Sequence, residues 1–88
     1  MRRALVSGRV QGVYYRASAQ QRAHAAGIRG HARNLPDGRV EVVAWGDEAA
    51  VLEFIDWLWI GSAAAKVAQV EVEIVESDAP PPQDFRTA

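Results

Sequence analysis

Gly30-His31-Ala32-Arg33-Asn34-Leu35-Pro36-Asp37-Gly38-Arg39-Val40-Glu41-Val42-Val43-Ala44-Trp45 lies near the middle of the 88-residue chain. Its centre, Pro36-Asp37-Gly38, is a tight turn with a mechanism: Pro fixes φ, Asp tolerates turn geometry and Gly accepts positive φ. Arg39–Trp45 is rich in valine and reads as a strand, and Gly30–Asn34 as a second, weakly marked one. Together they predict a hairpin over residues 30–45. Upstream, residues 15–26 are rich in Ala and Gln, which favours helix. Tyr15, Ala19, Ala23 and Ala26 fall on one face of it, and Gly27 is a plausible stop. Before this helix come a strand, Arg3–Ser7, and a glycine-containing loop, Gly8–Val13. Downstream, Gly46-Asp47 opens a second helix with Asp47 as its N-cap. Val51, Phe54, Ile55 and Leu58 form its apolar stripe, and Gly61 ends it. Val70, Val72 and Ile74 alternate with Gln69, Glu71 and Glu73, the pattern of a strand with one wet face.

The order β-α-β-β-α-β predicts an α+β fold. With right-handed crossovers it packs as a ferredoxin-like α/β sandwich, a four-stranded antiparallel sheet with two helices on one face. A short C-terminal strand or tail follows the Pro-rich connection over residues 78–84, and residues 1–88 read as a single domain. In this topology the first and second strands end at the same edge of the sheet. The loop Gly8–Val13, the start of helix one and the Asn34 turn are therefore expected to meet there.

Composition narrows the function. Hydrophobic residues make up 49% and charged residues 24%, an ordinary globular balance. The absence of cysteine excludes thiolate metal sites and cysteine nucleophiles. No run approaches the ~18 apolar residues of a membrane helix, and Met1-Arg2-Arg3 does not lead into a signal peptide. A cytoplasmic monomer without a membrane partner is the expectation. Residues 1–39 hold eight arginines against one acid, Asp37, whereas residues 40–88 hold Lys66 and Arg86 against ten acids. Such a basic half suits nucleic acid or a smaller anion. It is also what a compact fold produces when both halves share one surface.

Gly8-Arg9-Val10-Gln11-Gly12-Val13-Tyr14-Tyr15-Arg16 joins a strand to a helix N-terminus, where free backbone N–H groups suit an anion. It is neither a Walker loop nor a G-x-G-x-x-G pattern. Arg16 stands at the helix start with a fork matched to phosphate. Local physics alone favours a structural glycine turn followed by a surface arginine over an anion site.

Ser7-Gly8-Arg9-Val10-Gln11-Gly12-Val13-Tyr14-Tyr15-Arg16 resembles the signature of the acylphosphatases. A second signature of that family is matched by Gly30-His31-Ala32-Arg33-Asn34-Leu35-Pro36-Asp37-Gly38-Arg39-Val40, with Gly46 after five more residues. Trp57-Leu58-Trp59-Ile60-Gly61 ahead of Lys66 is a further similarity. His31 replaces the family's large aromatic, Ser62 its common proline, and Tyr15 a frequent Phe. The resemblance implies hydrolysis of acyl phosphates without metal, cofactor or covalent intermediate. By the match, Arg16 would bind the phosphoryl group and Asn34 would position the attacking water. The backbone of Gly8, Arg9, Val10, Gln11, Gly12, Val13 and Tyr14 would cradle the phosphate oxygens. The implied partners are a small-molecule acyl phosphate and inorganic phosphate or a similar anion, with no nucleic acid expected.

Other polar residues read as structural. His24 lies off the apolar face of its helix and reads as solvated, and His31 as structural or surface. Asp47, Glu48, Glu53 and Asp56 suit a helix start and a wet face. Trp45, Trp57 and Trp59 suit packing, with Trp59 partly exposed. Two other functions remain compatible with the residues: a phosphate-holding module without turnover, and a nucleic-acid binder, which would lack the expected aromatic strand pattern.

Overall fold

The computed structural model describes residues 1–76 and 80–88. Its elements are β1 (Arg2–Arg9), α1 (Tyr15–Ala25), β2 (Arg29–Asn34), β3 (Val40–Trp45), α2 (Glu48–Leu58), β4 (Lys66–Ile74) and β5 (Phe85–Thr87). The strands form one sheet in the order β4-β1-β3-β2-β5. The first four strands pair antiparallel, as the sequence predicts. The short C-terminal strand or tail expected after the Pro-rich connection is a strand. Phe85–Thr87 adds a fifth strand, parallel to β2. Asp78 and Ala79 of the Pro-rich connection lie outside the described residues.

Local chemistry accounts for the elements. At the hairpin turn Leu35 N–H donates to the Arg39 carbonyl at 2.8 Å and Gly38 N–H to the Leu35 carbonyl at 3.1 Å. Asp37 Oδ1 accepts from Arg39 N–H at 3.1 Å, and Gly38 takes φ 93°, the positive value expected of it. Asp47 caps α2 by accepting from Ala50 N–H at 3.4 Å. β1 is longer than its apolar pattern suggested. Gly8 and Arg9 still pair with β4, after a bulge between Ser7 and Gly8.

Both helices pack on one face of the sheet. Ala4, Val6, Val40, Val42, Ala44 and Ala32 rise from the strands to meet Tyr15, Ala19 and Ala23 of α1 and Val51, Phe54 and Leu58 of α2 in one buried cluster. Tyr15, Ala19 and Ala23 of the predicted face are buried, whereas Ala26 is the exposed C-cap of α1. Each large side chain here, Phe54 or Leu58 for example, contributes about 1.5–3 kcal/mol by leaving water. Trp57 stacks between Tyr15 and Phe54 at 5.9 and 6.2 Å, and Trp59 is half-exposed. Trp57 therefore serves packing.

The open face of the sheet mixes the two charged halves of the chain. Glu41 is buried there, yet it accepts from Arg3 Nε at 2.7 Å, Arg33 Nε at 2.7 Å and His31 Nε2 at 3.2 Å. Arg3 also pairs with Glu73, and Arg2 with Glu48. His31 is thus structural, facing away from the helices. Burial pushes the Glu41 carboxyl up, but hydrogen bonds from Arg3, His31 and Arg33 outweigh it and hold it at about 2, down from 4.5. A carboxyl depressed in the folded state stabilises the fold above its unfolded value, and that stability disappears as pH falls towards the folded value. Glu41→Gln is therefore expected to cost up to about 3 kcal/mol at pH 7 and much less near pH 2. Denaturant unfolding of both proteins across that range measures it. An equal difference at both pH values would remove Glu41 as an acid-sensitive support.

Candidate active site

β1 and β2 flank β3, so their ends lie about 10 Å apart at the same sheet edge, two strand spacings. From the β1 side the chain turns through Val10–Tyr14 into α1. Gly8, with φ 120°, starts the turn, and a Cβ there would stand 2.3 Å from the Lys66 carbonyl oxygen. Val10 and Val13 bury their side chains, so this segment presents backbone to the outside.

Tyr14 closes the loop as the residue before α1, in the left-handed region at φ 59°. For a non-glycine residue this costs on the order of 1 kcal/mol. The first helical hydrogen bond runs from Ser18 N–H to the Tyr14 carbonyl, so the amides of Tyr15, Arg16 and Ala17 precede the helical ladder. Among the described residues no side chain caps this end, and its first turn carries no acid. These amides face outward at the positive end of the helix dipole, an arrangement suited to an anion. An open cleft of about 380 Å³ lies against them, lined by Val10, Gly12, Tyr14, Arg16 and Thr87 among others.

Arg16 is half-buried at this cleft, and its Nη1 donates to the Ala88 oxygen at 2.6 Å. Ala88 N–H in turn donates to the Ala32 carbonyl at 2.9 Å. The tail thereby links Arg16 to the strand that carries Asn34. Asn34 is exposed at the end of β2, where it pairs with Val40, and it is not among the residues lining the cleft. Gln11 of the loop donates to the Leu35 and Arg39 carbonyls of the turn that follows Asn34, so the loop and that turn meet at this edge, with Arg16 in the cleft and Asn34 outside its lining.

Several contacts around α1 and the tail were not legible in the sequence. Arg16, Gln20 and His24 follow one another at i, i+4 and i+8 and all engage the tail. Gln20 Nε2 donates to the Phe85 carbonyl at 3.0 Å, and His24 Nε2 lies 3.2 Å from that oxygen and 2.7 Å from Asp84 Oδ1. His24 is therefore a tether for β5 rather than a freely solvated residue. The helical spacing was the available signal, but nothing local identified its partner. Ser62, at the position of the common proline, donates its hydroxyl to the Val13 carbonyl at 2.6 Å. The Tyr15 hydroxyl is satisfied by the Leu58 carbonyl at 2.7 Å, and burial pushes its pKa up.

A sequence profile described as Acylphosphatase matches residues 2–87. The chain belongs to the acylphosphatase family. An acylphosphatase of Hahella chejuensis is 54% identical over 79 residues, covering 90% of this chain and 84% of that one. The crystal structure of acylphosphatase from Bacillus subtilis superposes with a TM-score of 0.93 at 34% identity, covering 99% of this chain and 96% of that one. The structure of T.kodakarensis HypF is also similar, with a TM-score of 0.85 at 26% identity. The similarity spans 99% of this chain but only 11% of HypF. The superposition takes in nearly all of this chain, and the ferredoxin-like layering read from element order holds.

Proposed function

We propose that this chain hydrolyses acyl phosphates to a carboxylate and inorganic phosphate by direct attack of water. Arg16 grips the phosphoryl group, Asn34 holds the water, and the backbone from Gly8 to Tyr14 cradles the phosphate oxygens. The observation that carries this reading is the uncapped start of α1, with Arg16 in the same cleft. The phosphoryl group in flight spreads negative charge over three equatorial oxygens. Fixed N–H groups and a guanidinium match that pattern without reorganising during the reaction. Each charge-assisted hydrogen bond is worth about 1.5–3 kcal/mol. The carboxylate is a good leaving group and departs without a proton. Catalysis then reduces to holding water in line with the breaking P–O bond. The Asn34 carboxamide offers both an acceptor and donors for that water.

The test is release of benzoate and phosphate from benzoyl phosphate in the presence of a chelator. Equimolar products at an undiminished rate are expected. Loss of activity in chelator would overturn metal independence. The Arg16 contact with Ala88 favours a second reading, a module that holds phosphate without turnover. Phosphate binding with no product release would select it. On the same footing we place the protein in the cytoplasm as a monomer acting on a small molecule.

A further inference from the structure

We infer that the Gln11 side chain is a positioning residue that sets the distance between the two halves of the site. The inference rests on the roles proposed for Arg16 and Asn34. Its observation is a pair of long-range hydrogen bonds. Gln11 Nε2 donates to the Leu35 carbonyl and to the Arg39 carbonyl, both at 2.9 Å. A carboxamide nitrogen carries two hydrogens, so both are used. The two acceptors are the residues that close the hairpin turn, joined to each other by Leu35 N–H to the Arg39 carbonyl. Leu35 directly follows Asn34 in the chain.

The sheet does not supply this link. β1 pairs with β3 only as far as Val6 opposite Val40. Beyond Val6 the chain continues along β4, through a bulge, to Lys66 opposite Arg9. The anion-facing loop thus departs from β3 just where the hairpin turn begins. Gln11 reaches back across that opening from the middle of the loop. On the far side of the loop, Ser62 holds the Val13 carbonyl. The loop is therefore pinned at both ends, once to the α2–β4 connection and once to the turn beside Asn34.

The consequence is specific. Without the brace, the buried Val10 and Val13 side chains and the Ser62 bond to the Val13 carbonyl still hold the loop, so its backbone and Arg16 still meet phosphate. Asn34 still stands at the end of β2. What drifts is the spacing between phosphorus and the held water, to which attack geometry is sensitive. Gln11 should therefore act on kcat through Asn34 and leave the grip on phosphate intact.

Gln11→Met keeps the length of the side chain and removes both donors. With benzoyl phosphate it is expected to lower kcat about 10- to 100-fold, while the Ki of inorganic phosphate moves by less than about twofold. In a double-mutant cycle, Gln11→Met combined with Asn34→Ala should be no slower than Asn34→Ala alone. A merely structural residue would lower both parameters, or slow the Asn34→Ala background as much as the wild type. Losses that multiply in the double variant, a phosphate Ki that rises in step with the fall in kcat, or an unchanged kcat would each overturn the brace. Should Gln11→Met fail to fold, Gln11→Asn, too short to reach both carbonyls, runs the same cycle with the same outcomes. Failure of the parent reading shows separately, as an unchanged rate in Asn34→Ala alone, and the brace falls with it.

Discussion

Arg16→Ala is expected to lower kcat/KM for an acyl phosphate by about 10³- to 10⁵-fold, the scale on which an arginine stabilises phosphoryl transfer. The Ki of inorganic phosphate should rise as well, because the guanidinium meets phosphate in the ground state and in the transition state alike. Arg16→Lys is the sharper experiment. An ammonium carries the same charge and could still reach the Ala88 oxygen that Nη1 contacts at 2.6 Å. It cannot place two parallel donors on a phosphoryl group. If charge alone mattered, Lys would restore most of the rate. If the fork matters, Arg16→Lys stays close to Arg16→Ala. The fold should survive both changes, since Arg16 is half-buried at the cleft and lies outside the buried cluster. A wild-type rate in either folded variant would remove Arg16 from the chemistry.

Asn34→Ala should show a different signature. Asn34 is proposed to hold water rather than phosphate, so kcat is expected to fall by at least about 10²-fold while phosphate affinity stays near the wild-type value. Asn34→Asp separates water-holding from mere polarity. It retains an acceptor but loses the amide donors, and it brings negative charge towards a phosphoryl group. It is expected to be at least as slow as Asn34→Ala. Asn34 is exposed and its strand position rests on backbone pairing with Val40, so thermal unfolding should change little. Steady-state kinetics with phosphate as inhibitor, beside a melting curve, decides the matter. A fall in melting temperature that accounted for the lost activity would assign Asn34 to structure instead.

Much of this architecture is legible in the residues themselves. Pro36-Asp37-Gly38 specifies its turn by local backbone preference, and the turn joins β2 to β3. Asp47 caps α2. Val51, Phe54 and Leu58 mark the face that α2 buries. The parallel directions of β1 and β2 follow from element order, and with them the edge where loop and Asn34 meet. Glu41 was less legible. Nothing beside it in the chain shows that Arg3 and Arg33 from the neighbouring strands cover it.

The chain alone determined the turns, the caps, the apolar faces and the order of elements, because each depends on residues within a few positions of one another. Folding in three dimensions decided the rest. Phe85-Arg86-Thr87 by itself reads only as a short strand or tail, with no sign of which strand it would join. It becomes β5 because β2 offers an unpaired backbone edge and Arg16, Gln20 and His24 hold it from the helix side. Likewise, nothing near Gln11 indicates that its amide would find two carbonyls 24 and 28 residues away. Contacts of that separation exist only once the sheet has brought the segments together, and periodicity along the chain carries no record of them.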